Sequence, residues 1–239
     1  MRMLRSIYNR GVDMHQAPYV HGLFRDVFTG VDTRQKKAIP IGELHMLLNK
    51  DPQSEKLRRT QAIANLLFQF CGMPFSDLAH LEKSNLERGL LKYNRTKTGT
   101  PMSIEVLESA QNAIGGLYNK SDARSSGYPD YLFRILSGAY KRNEEGAYRE
   151  YQSALRRFNN ELKSLSRKLR LHSPVTSYTL RHSWATTAKY RGVPIEMISE
   201  SLGHKSIKTT QIYLKGFELE ERTKVNKLNY SYVCNFKML

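Results

Sequence analysis

The stretch SLGHKSIKTTQIYLK, residues 201–215, predicts two short helices joined by a tight turn. Gly203 is typical of a residue that ends a helix, and Ser206 is typical of the N-cap that begins the next one. If the second helix covers residues 207–214, the advance of about 100° per residue places Tyr213 on its polar side. A tyrosine in that position is either an ordinary surface residue or a reactive group that must stay accessible.

A longer helix is predicted just upstream, in TSYTLRHSWATTAKYRGVP, residues 176–194. Thr176 or Ser177 can cap its beginning, and the Gly and Pro residues near the end of the stretch favour its termination. Arg181 shares a face of this helix with Trp184 and other apolar residues. Because a guanidinium among apolar groups needs an anion, Arg181 is predicted to bind either a carboxylate of the protein or a phosphate.

The overall charge favours a polyanionic partner. The 239 residues include 38 Lys and Arg against 22 Asp and Glu, which leaves a formal net charge of +16. Such an excess is typical of proteins that bind nucleic acid, although it also raises solubility. The two isolated cysteines predict neither a disulfide framework nor a zinc site, and no apolar run is long enough to span a membrane. We therefore expect a cytoplasmic protein with no metal, no cofactor and no membrane partner.

The rest of the chain predicts several helices and one strand hairpin. The hairpin is expected around RTKTGT, residues 95–100, because strand-like segments flank a Gly-containing turn. Apolar residues of 148–169 recur at alternating spacings of three and four, which indicates one long amphipathic helix. Further helices are predicted over residues 1–14, 41–49, 56–70 and 104–120, with a linker at 29–40 and a loop at 121–130.

Together these motifs resemble the catalytic half of a known family. Arg181 in LRHSWAT, His204 in LGH, Tyr213 nine residues later and Lys97 in RTKTG are similar to the tyrosine recombinase (phage integrase) family. The resemblance covers roughly residues 41–217 and includes the branch carried by conjugative and mobilisable elements. It implies a mostly α-helical catalytic domain with a small antiparallel β-sheet (α+β). It also implies a site-specific recombinase that cuts and rejoins DNA through a 3′-phosphotyrosine, during integration or excision of a mobile element.

The resemblance and the chemistry of the reaction suggest a role for each of these residues. Tyr213 would be the nucleophile, although a phenol with a pKa of about 10 needs help to attack a phosphodiester. Arg181 and His204 would stabilise the charge that gathers on the phosphate oxygens. Lys97 would protonate the departing 5′ oxygen. Because the phosphotyrosine resembles the broken bond in energy, rejoining needs neither a metal nor ATP.

Two positions depart from the family pattern. In CGMPFSDL, residues 71–78, Pro74 stands where the first catalytic arginine belongs. Tyr178 replaces the histidine that precedes Arg181 in the family motif. We expect Tyr178 and the neighbouring His182 to support the site from behind the catalytic residues.

Arg95 is the predicted substitute for the missing arginine. Residues two apart on an extended strand project to the same face, so Arg95 and Lys97 are expected to point together at the phosphate. Arg88 and Lys83 are rival candidates, but local geometry ties neither of them to the site. The alternative is that Arg95 pairs with a nearby carboxylate of the protein.

The resemblance also implies a division of the chain. Residues 1–38 would be the C-terminal helix of a core-binding domain plus a linker, and residues 39–239 the catalytic recombinase domain with a C-terminal tail. The chain would then be an excised catalytic fragment or a shortened gene product. Double-stranded DNA is the expected partner, on which the protein would self-associate into a synaptic tetramer. An accessory DNA-bending protein is a further expected partner, and the location would be the nucleoid.

Other functions are also compatible with the sequence. PIEMISESLGHKSIKTTQIYL, residues 194–214, has the outline of a helix-turn-helix, so the chain is alternatively a transcriptional regulator. A regulator would not need Arg181 on an apolar face or Lys97 in a hairpin. A catalytically impaired relative that only binds DNA is the third alternative.

Overall fold

The computed structural model describes residues 1–27, 38–121, 127–214 and 219–234. Most of the predicted linker and part of the predicted loop lie outside these residues. The chain divides into two compact units, Met1–Lys36 and Lys37–Leu239.

Residues 1–27 of the first unit contain one helix, α1 (Arg2–Asp13), and none of the residues described in this helix is buried. The segment after the helix folds back onto Tyr8. The hydroxyl of Tyr8 donates to the carbonyl of Pro18 at 2.8 Å and accepts from the amide of Val20 at 2.7 Å. These two bonds fix the chain reversal that follows α1.

The second unit is mostly helical and holds a small antiparallel sheet, as predicted. The hairpin is confirmed, with Leu91 of one strand opposite Ile104 of the other. A third, two-residue strand was not predicted, because so short a segment shows no periodicity. The strands, in sheet order, are β1 (Leu86–Glu87), β2 (Leu90–Asn94) and β3 (Pro101–Glu105). The helices are α2 (Ile41–Asn49), α3 (Glu55–Gln69), α4 (Phe75–Ala79), α5 (Glu108–Leu117), α6 (Glu145–Lys168), α7 (Ser177–Tyr190), α8 (Ile195–Ser201), α9 (Ile207–Tyr213) and α10 (Leu219–Cys234).

Helix α6 contributes one buried face to the main core. Phe158, Leu162 and Leu165 follow the predicted spacing and are at most 3% exposed. Phe75 of α4 stacks on Phe158 with the ring centroids 4.7 Å apart. Tyr148, the first residue of the predicted apolar stripe, is instead 64% exposed, because it lies in the first turn of α6, outside the packed cluster.

A smaller apolar cluster joins the helices that carry the predicted site. Ala185 of α7, Ile198 of α8, and Leu202 and Leu214, which follow α8 and α9, are buried together. This cluster holds α8 and α9 against α7, so it sets the relative positions of the site residues on these elements. In the part of the chain that the structure describes, no helix is both long and apolar enough to cross a membrane.

Truncation of Leu162 tests the importance of the main core. Leu162→Ala is expected to lower the free energy of unfolding by about 2–5 kcal/mol, through lost apolar contacts and the cavity left behind. Arg157→Ala, on the exposed side of α6, is expected to change it by about 0.5 kcal/mol or less. Urea unfolding followed by circular dichroism measures both values. Equal losses in the two variants would contradict the burial of Leu162 in the main core.

Candidate active site

Arg181 lies on α7 with 5% of its surface exposed. A capping box between Thr176 and Thr179 begins the helix as predicted, and thereby fixes the face that carries Arg181. The guanidinium donates to the carbonyl of Gly72 at 2.8 Å and to the carbonyl of Leu202 at 2.6 Å. Carbonyl oxygens satisfy these N–H groups without cancelling the positive charge, so this environment remains suited to an anion.

The turn after α3 can approach α7 closely because residue 72 has no side chain. Gly72 has a φ of +64°, and a Cβ atom there would lie 3.2 Å from Cα of Arg181 and 3.2 Å from Cβ of Trp184. Pro74 follows two residues later and forms the N-cap of α4. The segment that lacks the family's first arginine therefore runs directly beside Arg181.

The sequence predicts that Arg95 and Lys97 share one face of an extended strand. The structure shows that they do not. Strand β2 ends at Asn94 and the chain turns over Thr96–Thr98, while the amide of Arg95 donates to the carbonyl of Thr100 at 2.9 Å. Arg95 is 6% exposed, whereas Lys97 is exposed at the turn. The prediction was wrong because the strand ends before Arg95, and the turn then separates the two side chains.

Arg95 nevertheless reaches Arg181 by another route. Its guanidinium donates to the carbonyl of Leu202, the same oxygen that accepts from Arg181. Its Nε also lies 2.9 Å from Oδ2 of Asp77, whose side chain is 1% exposed. The Nε–H is not aligned with that oxygen, so this contact is a charge pair rather than a hydrogen bond. Arg95 thus pairs with a carboxylate and also lies next to Arg181.

Asp77 is the member of this cluster that the sequence did not reveal. It lies in the first turn of α4, and its Oδ1 accepts from the amide of Thr96 at 3.2 Å. Asp77 therefore ties the hairpin turn to α4 and offsets one of the two guanidinium charges. The available signal was an acidic residue three positions after Pro74, in the segment already aligned with the missing arginine.

The rival cations lie elsewhere. Nζ of Lys83 is 3.0 Å from Oδ1 of Asp130. Arg88 lies exposed in the turn between β1 and β2. Of the three candidates, Arg95 is the one that shares an acceptor with Arg181 among the described contacts.

His204 follows α8 and faces Arg181. Its Nε2 lies 3.3 Å from a guanidinium nitrogen of Arg181, and its Nδ1 lies 2.9 Å from the hydroxyl oxygen of Thr210. Burial, and then the charges of Arg181, Arg95 and Lys97, lower the pKa of His204 from 6.5 to about 4. His204 is therefore a neutral imidazole at pH 7.

Gly203 allows the hairpin to contact the loop that precedes His204. Its φ is +63°, and a Cβ atom at this position would lie 2.8 Å from the sulfur of Met102 and 2.9 Å from Cγ of Arg95. Any larger residue would have to displace one of these side chains. The absence of a side chain at Gly203 is thus a condition for the contact between Arg95 and Leu202.

Helix α9 is held to the rest of the site at its middle and at its C-terminal end. Thr210, in the middle of α9, is fully buried against His204 although its polar neighbours predict an exposed face. At the C-terminal end, Nζ of Lys189 on α7 donates to the carbonyl of Leu214 at 3.0 Å. Tyr213 is the last residue of α9, and its side chain lies outside the described part of the structure.

The remaining predicted site residues lie beside Arg181 on α7. Tyr178 is 43% exposed one turn earlier, and His182 is half-buried next to Arg181 in the chain. Their supporting role stays a prediction. Within residues 1–27, 38–121, 127–214 and 219–234, no group of three His, Cys, Asp or Glu side chains is placed to hold a metal ion.

Comparison with known proteins identifies relatives of this chain. Residues 41–219 match the model of the phage integrase family. A probable integrase/recombinase protein of Methanocaldococcus jannaschii is 28% identical over 204 residues, which cover 82% of this chain and 58% of that protein. The tyrosine recombinase XerD of Halalkalibacterium halodurans is 30% identical over 190 residues, which cover 75% of this chain and 57% of that protein. The chain spans a little over half the length of these two relatives.

Solved structures show the same fold. The integrase of the transposon Tn1549, in complex with a circular intermediate DNA, matches with a TM-score of 0.65 at 16% identity, over 93% of this chain and 77% of that one. The XerA recombinase matches with a TM-score of 0.56 at 22% identity, over 88% of this chain and 68% of that one. These matches bear out the predicted fold class, mostly α with a small antiparallel sheet.

Gly203→Ala tests the close contact between the hairpin and the loop before His204. The added Cβ should displace Arg95 from Leu202. Gly89→Ala is the matched control, because Gly89 also has a positive φ, +78°, but nothing among the described atoms lies within 4 Å of its Cβ position.

Both of these variants should lose about 1–2 kcal/mol of stability for a left-handed backbone. Gly203→Ala should lose at least about 1 kcal/mol more, through overpacking. Urea unfolding measures the difference. A loss at position 203 no larger than the loss at position 89 would contradict the packing described above.

Proposed function

The chain belongs to the phage integrase family, and from that premise we propose that it is a site-specific DNA recombinase. It cleaves a DNA strand through Tyr213, forms a 3′-phosphotyrosine and joins that strand to a new 5′ hydroxyl, in integration or excision of a mobile element. The observation that carries this proposal is the pair of buried guanidiniums, Arg181 and Arg95, which share the carbonyl of Leu202 beside His204.

The guanidinium pair suits a scissile phosphate. In the structure, donors of Arg181 and Arg95 bind the neutral carbonyl oxygens of Gly72 and Leu202. An anionic phosphate oxygen can replace these acceptors with a gain in energy, because charge-assisted hydrogen bonds are stronger than neutral ones. The charge on the phosphate oxygens increases in the transition state. Fixed donors at this position therefore stabilise the transition state more than the bound substrate.

Tyr213 and Lys97 supply the bond-making and bond-breaking groups. The phenolic oxygen of Tyr213 attacks phosphorus and loses its proton to water, the bond from phosphorus to the 5′ oxygen breaks, and Lys97 gives that oxygen a proton. Lys97 lies exposed on the turn between β2 and β3, where it is accessible to DNA. In the rejoining step a 5′ hydroxyl attacks the phosphotyrosine and gives its proton to Lys97, the bond from phosphorus to the Tyr213 oxygen breaks, and that oxygen takes a proton from water. Tyr178 and His182 support the site from α7.

Double-stranded DNA is the proposed partner. The net charge of +16 supports this proposal, since a basic protein gains affinity by displacing counterions from phosphates. One of the similar structures is an integrase in complex with DNA. By analogy with the family, we extend the proposal to a synaptic tetramer, an accessory DNA-bending protein and a location in the nucleoid of the cytoplasm. Residues 1–38 then belong to a core-binding domain and its linker, and residues 39–239 to the catalytic domain.

A helix-turn-helix regulator is the weaker alternative. Its turn would consist of Leu202 and Gly203, both of which are buried, and Leu202 accepts from two arginines. A DNA reader needs an exposed recognition helix but no buried cations at this turn. The arrangement of Arg95 and Arg181 therefore favours phosphate chemistry over groove reading alone.

Removal of the Tyr213 hydroxyl tests the nucleophile. Tyr213→Phe should bind DNA with unchanged affinity but form no covalent adduct on a nicked suicide duplex, because only the attacking oxygen is lost. Denaturing electrophoresis measures the adduct, and fluorescence anisotropy measures the affinity. Tyr19→Phe, at a tyrosine that is 72% exposed in the first unit, is the control and should form adduct normally.

The same assay distinguishes the alternatives. Adduct formation should persist in a chelator, since the proposed step uses no metal. Undiminished adduct with Tyr213→Phe would reject the nucleophile. A wild-type protein that binds duplex DNA but never forms an adduct would instead be the catalytically impaired relative or the regulator.

Arg95→Ala tests the proposed replacement for the missing arginine. A charge-assisted hydrogen bond is worth about 1.5–3 kcal/mol, or about one to two powers of ten in rate. Single-turnover cleavage should therefore fall about tenfold to a hundredfold. Arg88→Ala, at the exposed β1–β2 turn, is the matched control and should cleave like the wild type.

Folding must be checked separately, because Arg95→Ala leaves Asp77 buried without its cationic partner. The double variant Arg95→Met/Asp77→Asn removes both charges and should fold while showing the same loss of cleavage. Wild-type cleavage by folded Arg95→Ala protein would reject Arg95 as the replacement.

A further inference from the structure

The two ring nitrogens of His204 have different partners, and these partners determine where the ring proton lies. A guanidinium is only a hydrogen-bond donor, so Nε2, at 3.3 Å from Arg181, must act as the acceptor. A neutral imidazole carries one proton, which must then be on Nδ1. Nδ1 lies 2.9 Å from the hydroxyl oxygen of Thr210 and donates to it. These contacts therefore require His204 to be the Nδ1–H tautomer.

A bound phosphate requires the opposite arrangement at Nε2. Phosphate oxygens only accept hydrogen bonds, so His204 can contact one favourably through Nε2 only if that nitrogen carries a proton. A second proton on the ring is opposed by the cations that face it, Arg181 from α7 and Arg95 and Lys97 from the hairpin. A neutral ring can still meet the phosphate if its single proton is on Nε2 instead of Nδ1.

Thr210 is suited to both arrangements. A hydroxyl group accepts a hydrogen bond from Nδ1–H and can equally rotate to donate to an unprotonated Nδ1. Thr210 is 0% exposed, so no bulk water replaces it as the partner of Nδ1. A carbonyl in this position would permit only the Nδ1–H tautomer, and an aliphatic side chain would satisfy neither.

We propose that Thr210 is a positioning residue whose hydroxyl lets His204 exchange tautomers, from Nδ1–H when Arg181 binds Nε2 to Nε2–H when a phosphate does. The ring takes one proton from water at Nε2 and releases one to water from Nδ1 while the ring turns briefly away from Thr210, so its charge does not change. The DNA-bound half of this inference rests on the proposed recombinase function. The DNA-free half rests on the contacts of His204 alone.

The position of Thr210 in the chain gives the exchange a second consequence. Thr210 precedes Tyr213 by three residues on α9, so the partner of His204 and the proposed nucleophile lie on adjacent parts of one short helix. His204 has its Nδ1 partner only when α9 is docked. The phosphate-binding form of His204 is therefore available when α9, the helix that ends with Tyr213, is docked.

Nitrogen-15 NMR of histidine-labelled protein tests the proposal, because the two neutral tautomers give different ring nitrogen shifts. The resonances of His204, one of 7 histidines, are identified by their loss in His204→Gln. The wild type should show Nδ1–H without DNA and Nε2–H when bound to a duplex that carries a scissile phosphate. An Nε2–H tautomer in the DNA-free protein, or no change of tautomer on DNA, would overturn the proposal.

Three variants separate the hydroxyl from packing. Thr210→Val keeps the shape and removes the hydroxyl, so it should lose the preference for Nδ1–H and cleave about threefold to tenfold more slowly, the value of one hydrogen bond. Thr210→Ser keeps a hydroxyl, so it should keep both the Nδ1–H preference and the wild-type cleavage rate. Thr209→Val, at the exposed neighbouring position, should change neither. A Thr210→Val protein with the wild-type tautomers and rate would overturn the proposal.

The two halves of the inference are tested by separate results. If the wild type forms no adduct, the recombinase function and the DNA-bound half of the inference fall together. The tautomer of the DNA-free protein still decides whether Thr210 fixes the proton of His204. If Thr210→Val does not fold, the two wild-type spectra alone decide the proposal.

Discussion

The site depends on one acceptor, the backbone carbonyl of Leu202, to which Arg181 and Arg95 both donate. Two cations that share one oxygen repel each other, and this repulsion is strong where water is excluded. Asp77 offsets it by pairing with Arg95. The two guanidiniums come from α7 and from the β2–β3 hairpin, so a single oxygen sets their separation. The packing of Ile198 and Leu202 in one apolar cluster therefore positions the acceptor that both guanidiniums share.

The helices and the spacing of the site residues were predictable because they are encoded locally. Caps, apolar periodicity and turn glycines gave α7, α9 and the strand hairpin, and the spacing of Arg181 from His204 follows from them. The burial of Arg95 was not predictable, because it depends on whether β2 ends at Asn94 or continues by one or two residues. Asp77 was missed for a related reason: its partner lies on a different element, and no periodicity in the chain records that contact.

If Arg95 replaces the missing arginine as proposed, the charge comes from a different part of the chain. Pro74 is the N-cap of α4 and brings no cation. Arg95 reaches the carbonyl of Leu202, the acceptor of Arg181, from the hairpin. The carboxylate that pairs with Arg95 belongs to Asp77, which lies in α4, the helix that Pro74 caps. What matters for a phosphate is the location of the N–H groups in space, which several chain segments are able to provide.

The neutral state of His204 links the folding equilibrium to acidity. Its pKa is about 4 in the folded protein, whereas in an unfolded chain a histidine titrates at about 6.5. The unfolded chain therefore binds a proton first as the pH falls, and the contribution of this residue to stability is present above pH 6.5 and lost progressively towards pH 4. Burial of the ring, together with the cations that face it, thus makes the fold sensitive to mild acid, and a bound polyanion that neutralises these cations should relieve part of that sensitivity.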